Sequence, residues 1–97
     1  MPGYIILGKW TQKGVAEVKN SPERMKQGRV AAEKLGGRVV GMWATMGEYD
    51  GVIILDMPND QAASLFALGL AGVGTASTQT MRAYSEEEFA QLVAKLP

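Results

Sequence analysis

A chain of 97 residues makes one domain and leaves no room for a second. Ten Lys and Arg balance ten Asp and Glu, and the basic residues are scattered from Lys9 to Lys95, so the basic face that nucleic acid requires is missing. With no cysteine and no histidine there is no disulfide, thiolate metal site, Ser–His–Asp set or His-ligated metal, and any acid–base work falls to Glu, Asp, Lys, Tyr or a terminus.

No apolar run approaches the roughly 20 residues of a membrane span. The start, Met-Pro-Gly-Tyr, lacks the basic and apolar regions of a signal peptide. A cytoplasmic location, no membrane contact and no cofactor are the expectations that follow.

Tyr4 to Trp10 reads as the first strand, its side-chain row interrupted at Gly8. Thr11 caps an irregular helical turn holding Val15 and Val18. Ser21-Pro22-Glu23 predicts a helix start, with a capping hydroxyl, proline at the first helical position, then an acid. Met25, Gly28, Ala32 and Leu35 fall three or four apart on one helical face, and Gly36-Gly37 ends it. Arg38 to Met46 and Gly51 to Met57 read as a β-hairpin, with Asp50-Gly51 as the turn-forming pair at its tip. Pro58-Asn59-Asp60 breaks the third strand and caps a second helix, on which Ala62, Leu65, Phe66, Gly69, Leu70 and Val73 share a face. Gly72 and Gly74 release that helix; Gly69 and Gly72 are read as allowing close helix packing. Thr75 to Tyr84 is the fourth strand. Ser85 and Glu88 form a capping box for a last helix striped by Phe89, Leu92, Val93 and Leu96.

The order β-α-β-β-α-β plus a helix predicts an α+β, ferredoxin-like four-stranded antiparallel sheet with an extra C-terminal helix. Right-handed crossovers put strands one and three at the centre, where they are expected to run parallel, with two and four at the edges. Both central strands are apolar on both faces, Ile5 and Leu7 opposite Tyr4, Ile6 and Trp10, and Ile53 and Leu55 opposite Val52 and Ile54. Two helices cover one face. The other, about 20 × 20 Å from strand spacing and rise, is at the limit of what a monomer exposes. A homodimer with the two sheets face to face is therefore expected, Ile6 and Ile54 marking the contact row and Ile5 and Ile53 the helix-facing row. Trp43 or Trp10 is placed at or beside the contact. The polar fourth strand leaves an edge that higher assembly could use.

Over essentially all 97 residues the chain resembles the GYD-domain family, small proteins assigned to the dimeric α/β-barrel group. The residues that carry the resemblance are Tyr4-Ile5-Ile6-Leu7-Gly8-Lys9-Trp10-Thr11, Ser21-Pro22, Gly47-Glu48-Tyr49-Asp50 and Met81-Arg82-Ala83-Tyr84. Glu48 separates Gly47 from Tyr49, a departure from the Gly-Tyr-Asp signature that names the family. The resemblance implies the fold and the dimer and assigns no catalytic residue.

The motif Gly47, Glu48, Tyr49 and Asp50 is either an acid–base group at a pocket mouth or a polar turn in which Asp50 binds backbone amides. Two carboxylates without further oxygen donors do not make a hard-cation site. Gly69, Gly72 and Gly74 close a helix rather than open one, which is the wrong context for phosphate. The better ligand candidates are Tyr4, Trp10, Trp43, Thr45, Thr80 and Arg82. If the row Val39, Gly41, Trp43, Thr45 shares the open face with Thr78, Thr80, Arg82, a small cavity of aromatics, hydroxyls and one guanidinium results. Pro2 would serve as an amine base only with Met1 removed. The leading functional expectation is a small-molecule-binding or regulatory module without catalysis of its own. The alternatives are a cofactor-independent oxygenase- or isomerase-like enzyme and a purely structural oligomer.

Overall fold

The computed structural model describes residues 1–97. Its elements are β1 (Gly3–Trp10), α1 (Gln12–Ala16), a 3-10 turn (Val18–Asn20), α2 (Ser21–Lys34), β2 (Arg38–Ala44), β3 (Gly51–Asp56), α3 (Asp60–Val73), β4 (Ala76–Ala83) and α4 (Glu86–Val93). One four-stranded sheet has the order β2-β3-β1-β4, and each neighbouring pair is antiparallel. That corrects the expected parallel pairing of β1 and β3. The crossover through α2 returns β2 parallel to β1, and the hairpin then reverses direction. The strand inserted between them, β3, therefore runs against both.

Tyr4 and Ile6 of β1 and Leu55 of β3 form the core with Met57, Ala32 of α2, and Ala62, Ala63 and Phe66 of α3. Ile6 pairs with Ile53 and Ile5 with Ile54, so the two rows are not those expected. Ile6, Ile53 and Leu55 lie under the helices, whereas Ile5, Leu7, Val52 and Ile54 line the open face. Antiparallel register decides this: parity on one strand says nothing about the next until a single pair is known.

A β-bulge lies between Val39 and Gly41. Val39 pairs with Leu55 on the helix side, but Gly41 and Trp43 pair with Ile54 and Val52 on the open side. The extra residue, Val40, absorbs the half-period, so Val39 and Trp43 face opposite ways although four residues apart. β2 ends at Ala44, two residues before the expected Met46, because Thr45 already turns back to donate its N–H to the Asp50 carbonyl.

Helix ends follow local chemistry with one exception. Asn59 accepts from the Ala62 N–H at the start of α3, Gly74 (φ 84°) closes it, and Ser85 and Glu88 form the reciprocal box that opens α4. Ser21, by contrast, is already inside α2; the preceding 3-10 turn runs straight into the helix, and the Ser21 hydroxyl is buried without a partner. On α3 the small pair Ala62 and Ala63 meets the sheet with Phe66, which rotates Leu65 and Val73 outward. A Cβ at Gly69 or Gly72 would meet nothing within 4 Å, so neither glycine serves packing inside this chain.

Candidate functional site

The open face of the sheet has an apolar centre: Ile5 and Leu7 of β1, Val52 and Ile54 of β3, Trp43 of β2 and Met81 of β4. No helix lies across it. Trp43 is 53% exposed, and a Cβ at Gly41 would lie 2.4 Å from its indole, so the ring folds back over its own strand at the one position where the backbone has no side chain. Tryptophan is one of the side chains enriched among the residues that anchor protein interfaces. At one end of the face Arg38 and Asp56, paired across β2 and β3, make an ion pair of 2.9 Å. Charge at the rim and carbon at the centre is the anatomy of a contact surface.

The opposite end is bordered by the Thr45–Asp50 connection. Gly47 holds φ 114°, a conformation other residues rarely adopt, and this lets the chain turn. The Thr45 hydroxyl donates to the Tyr49 carbonyl at 2.6 Å. Asp50 extends the sheet by two bonds: its N–H donates to the Gly8 carbonyl at 2.8 Å, and its Oδ2 accepts the Trp10 N–H at 2.8 Å. A carboxylate here takes the place of a backbone carbonyl that β3 no longer supplies. Tyr49 leans over Lys9, whose ammonium lies 5.2 Å from the ring centroid, and points its hydroxyl at Gln79 of β4, 3.4 Å away. Glu48 is exposed, 3.8 Å from Lys9. The motif is thus a clasp from the hairpin to β1 and β4 rather than a convergent set of acids. Lys9 and Gln79 complete it, and nothing local in the sequence singles them out.

Beneath the helices is a second polar group. Tyr4 is buried and donates its hydroxyl to Asp60 in the first turn of α3; burial first, then that hydrogen bond, push the phenol above its ordinary value. Arg82 lies between the rings of Tyr4 and Tyr84, its carbon 5.7 and 4.6 Å from their centroids. Its guanidinium donates to the Gly3 carbonyl at 3.2 Å and to Glu88 at 3.3 Å. The Glu88 carboxyl is held below its usual value, foremost by the Ser85 N–H. These contacts fasten β1, α3, β4 and α4 together. Arg82 is thereby committed to partners inside the chain.

Of the six expected ligand residues, the fold brings Tyr4 and Arg82 together and separates the others. Tyr4, Trp10, Thr80 and Arg82 share the helix-side parity of β1 and β4. Trp43 lies on the open face, and Thr45 serves the loop. The mixed aromatic–polar cavity is therefore not formed within one chain, and the reason is the bulge together with the β1–β4 register.

The family model of the GYD domain matches residues 4–93. A Thermus thermophilus protein named glutamine synthetase and cystathionine beta-lyase binding protein is 32% identical over 97 residues, covering 99% of this chain and 99% of its own. In fold, the chain is similar to the crystal structure of an FFRP protein, with TM-score 0.62, 19% identity, and coverage of 87% of this chain and 100% of that one. A second similar crystal structure, also of a Thermus thermophilus protein, has TM-score 0.54 and 16% identity over 88% of this chain and 95% of that one. On the family match and the full-length relative, this chain belongs to the GYD-domain family.

Proposed function

We propose that the chain is a regulatory module without catalysis of its own, which pairs with a second copy through the open sheet face and docks on a metabolic enzyme through the outer face of α3. The observation that carries the docking reading is the surface of α3. From Gln61 to Val73 that helix has no ionisable residue, yet Leu65 and Leu68 are 54% and 67% exposed beside Gly69 and Gly72. A surface helix normally turns a charged face to water. Two helical glycines cost roughly 0.5–1 kcal/mol each relative to alanine, and nothing in the chain compensates for them. A smooth, uncharged helix face admits another protein's backbone at close range. The named relative binds two enzymes, which supports an enzyme as the occupant.

Self-pairing follows from the open face. Two such faces remove about 800 Å² from water, from strand spacing and rise. At about 25 cal/mol per Å² that is a gross 15–20 kcal/mol, against an association cost of about 4–15. Ile5→Asp, on the open face, gives folded monomers; Ile6→Asp, under the helices, unfolds the domain.

The docking reading is tested by titrating the chain against the glutamine synthetase and the cystathionine β-lyase of its own source organism, with calorimetry and co-elution as readouts. One of them is expected to bind, and Leu68→Glu is expected to weaken that binding at least tenfold with the dimer intact. No heat and no co-elution with either enzyme at tens of micromolar overturns it.

A further inference from the structure

The last helix, α4, carries an apolar stripe, yet apart from the Arg82–Glu88 contact in its first turn it has few contacts with the other elements of its own chain. Glu87, Glu88 and Gln91 line a groove with Arg38, Ile54 and Asp56 at the end of the open face. At about 100° per residue these three lie on one side of the helix. Phe89, Leu92 and Val93 lie on the other, Leu96 follows just past the helix end, and Phe89 and Leu96 are 59% and 70% exposed. The helix shows its polar side to its own sheet and its apolar side away from it. A helix that short does not hold together in water on propensity alone.

We infer that α4 is an exchanged arm, whose Phe89–Leu96 stripe packs against the sheet of a second copy. The inference rests on the self-pairing proposed above and adds to it. Area selects the occupant. The sheet faces alone contribute about 800 Å², short of the roughly 1,200–2,000 Å² of a stable interface. Each stripe residue, about half exposed, leaves on the order of 60 Å² of apolar surface to cover. For four residues per arm (three on the helix and Leu96 just after it), the surface they cover, and the two-fold copy, that adds on the order of 1,000 Å², which brings the interface into the stable range. The groove is continuous with the open face, since Ile54 lines both. The Arg82–Glu88 contact and the Ser85–Glu88 box fix the root of the arm, so its direction is set before the partner arrives.

The test uses the full chain. Sedimentation equilibrium of Phe89→Asp/Leu92→Asp is compared with the unmodified protein and with Ile5→Asp. The expected result is an unmodified dimer, and a doubly substituted chain that is folded by circular dichroism and self-associates at least a hundredfold more weakly. A double variant whose dissociation constant stays within threefold overturns the arm and leaves sheet pairing standing. An unmodified monomer at tens of micromolar overturns both. Should the double variant lose its fold, hydrogen exchange of the unmodified protein diluted through its dissociation decides. The Ala90–Val93 amides gain at least tenfold protection in the dimer if the arm is exchanged, and unchanged protection refutes it.

Discussion

Asp50→Ala separates a clasp from a catalytic acid. The carboxylate accepts the Trp10 N–H at 2.8 Å, forty positions away in sequence, and both residues are half-buried. A hydrogen bond to a charged group contributes about 1.5–3 kcal/mol, and truncation leaves the Trp10 amide without its partner. The loss is not larger, because the Asp50 N–H to Gly8 carbonyl bond belongs to the backbone and survives. Asp50→Asn keeps an acceptor oxygen and loses less than half as much. Glu48→Gln touches only an exposed pair at 3.8 Å and changes stability by less than about 0.5 kcal/mol. Urea melts at one fixed protomer concentration measure all three, and for a domain of this size 1 kcal/mol moves Tm by about 4–8 °C. A change below about 0.5 kcal/mol for Asp50→Ala, or equal losses for Glu48→Gln and Asp50→Ala, refutes the clasp.

Gly14→Ala and Gly69→Ala are expected to act in opposite directions. A Cβ at Gly14 would lie 1.9 Å from the Thr75 carbonyl oxygen and costs about 3 kcal/mol or more, whereas open space at Gly69 makes alanine stabilising by about 0.5–1 kcal/mol; differential scanning fluorimetry of the two variants checks the signs. Tyr4→Phe costs about 1.5–3 kcal/mol through the lost bond to Asp60. Because the folded phenol titrates above its ordinary 10.0, its contribution is complete below that pH and falls as pH rises towards the raised value, so the alkaline decline of the urea midpoint should flatten in the variant. Glu88 works in reverse: its folded carboxyl titrates below 4.5, so its contribution is present above that pH and is lost on acidification through the lowered value. Glu88→Gln should shrink the acid-side slope, and an unchanged slope counts against the Ser85–Glu88 contact.

Signals confined to one turn of chain were legible in the sequence. The box of Ser85 and Glu88, the Asn59 cap, the Gly36 and Gly74 stops and the order of strands and helices each depend on neighbours within four residues. Features set by pairing across the sheet were not. Which of Ile5 and Ile6 meets the helices depends on one register pair, and the bulge at Val40 inverts half of β2 with only the neighbouring Gly41 as a local sign, which an open strand position would equally explain. Ser21 looked like a cap, but the 3-10 turn before it competes for the same role. The candidate ligand set failed to converge for the same reason, since it assumed one parity for Val39 and Trp43. The polar contacts of Tyr4 and Arg82 depend on Asp60 and Glu88, which sequence marks only as helix-start acids.

The order β2-β3-β1-β4 also governs what happens while the chain is being made. The first strand synthesised is a central one, and both its neighbours come from later residues: Gly51–Asp56 on one side and Ala76–Ala83 on the other. The hairpin of β2 and β3 can close locally, but Tyr4-Ile5-Ile6-Leu7 waits with two bare edges until more than half the polypeptide has emerged. That segment is uncharged, rich in strand-forming side chains and free of proline, the composition that associates with other chains when left unpaired. Residence of nascent chains on a holding chaperone should therefore end only as β3 leaves the ribosome, and crowding of unfinished copies is the hazard that the topology builds in.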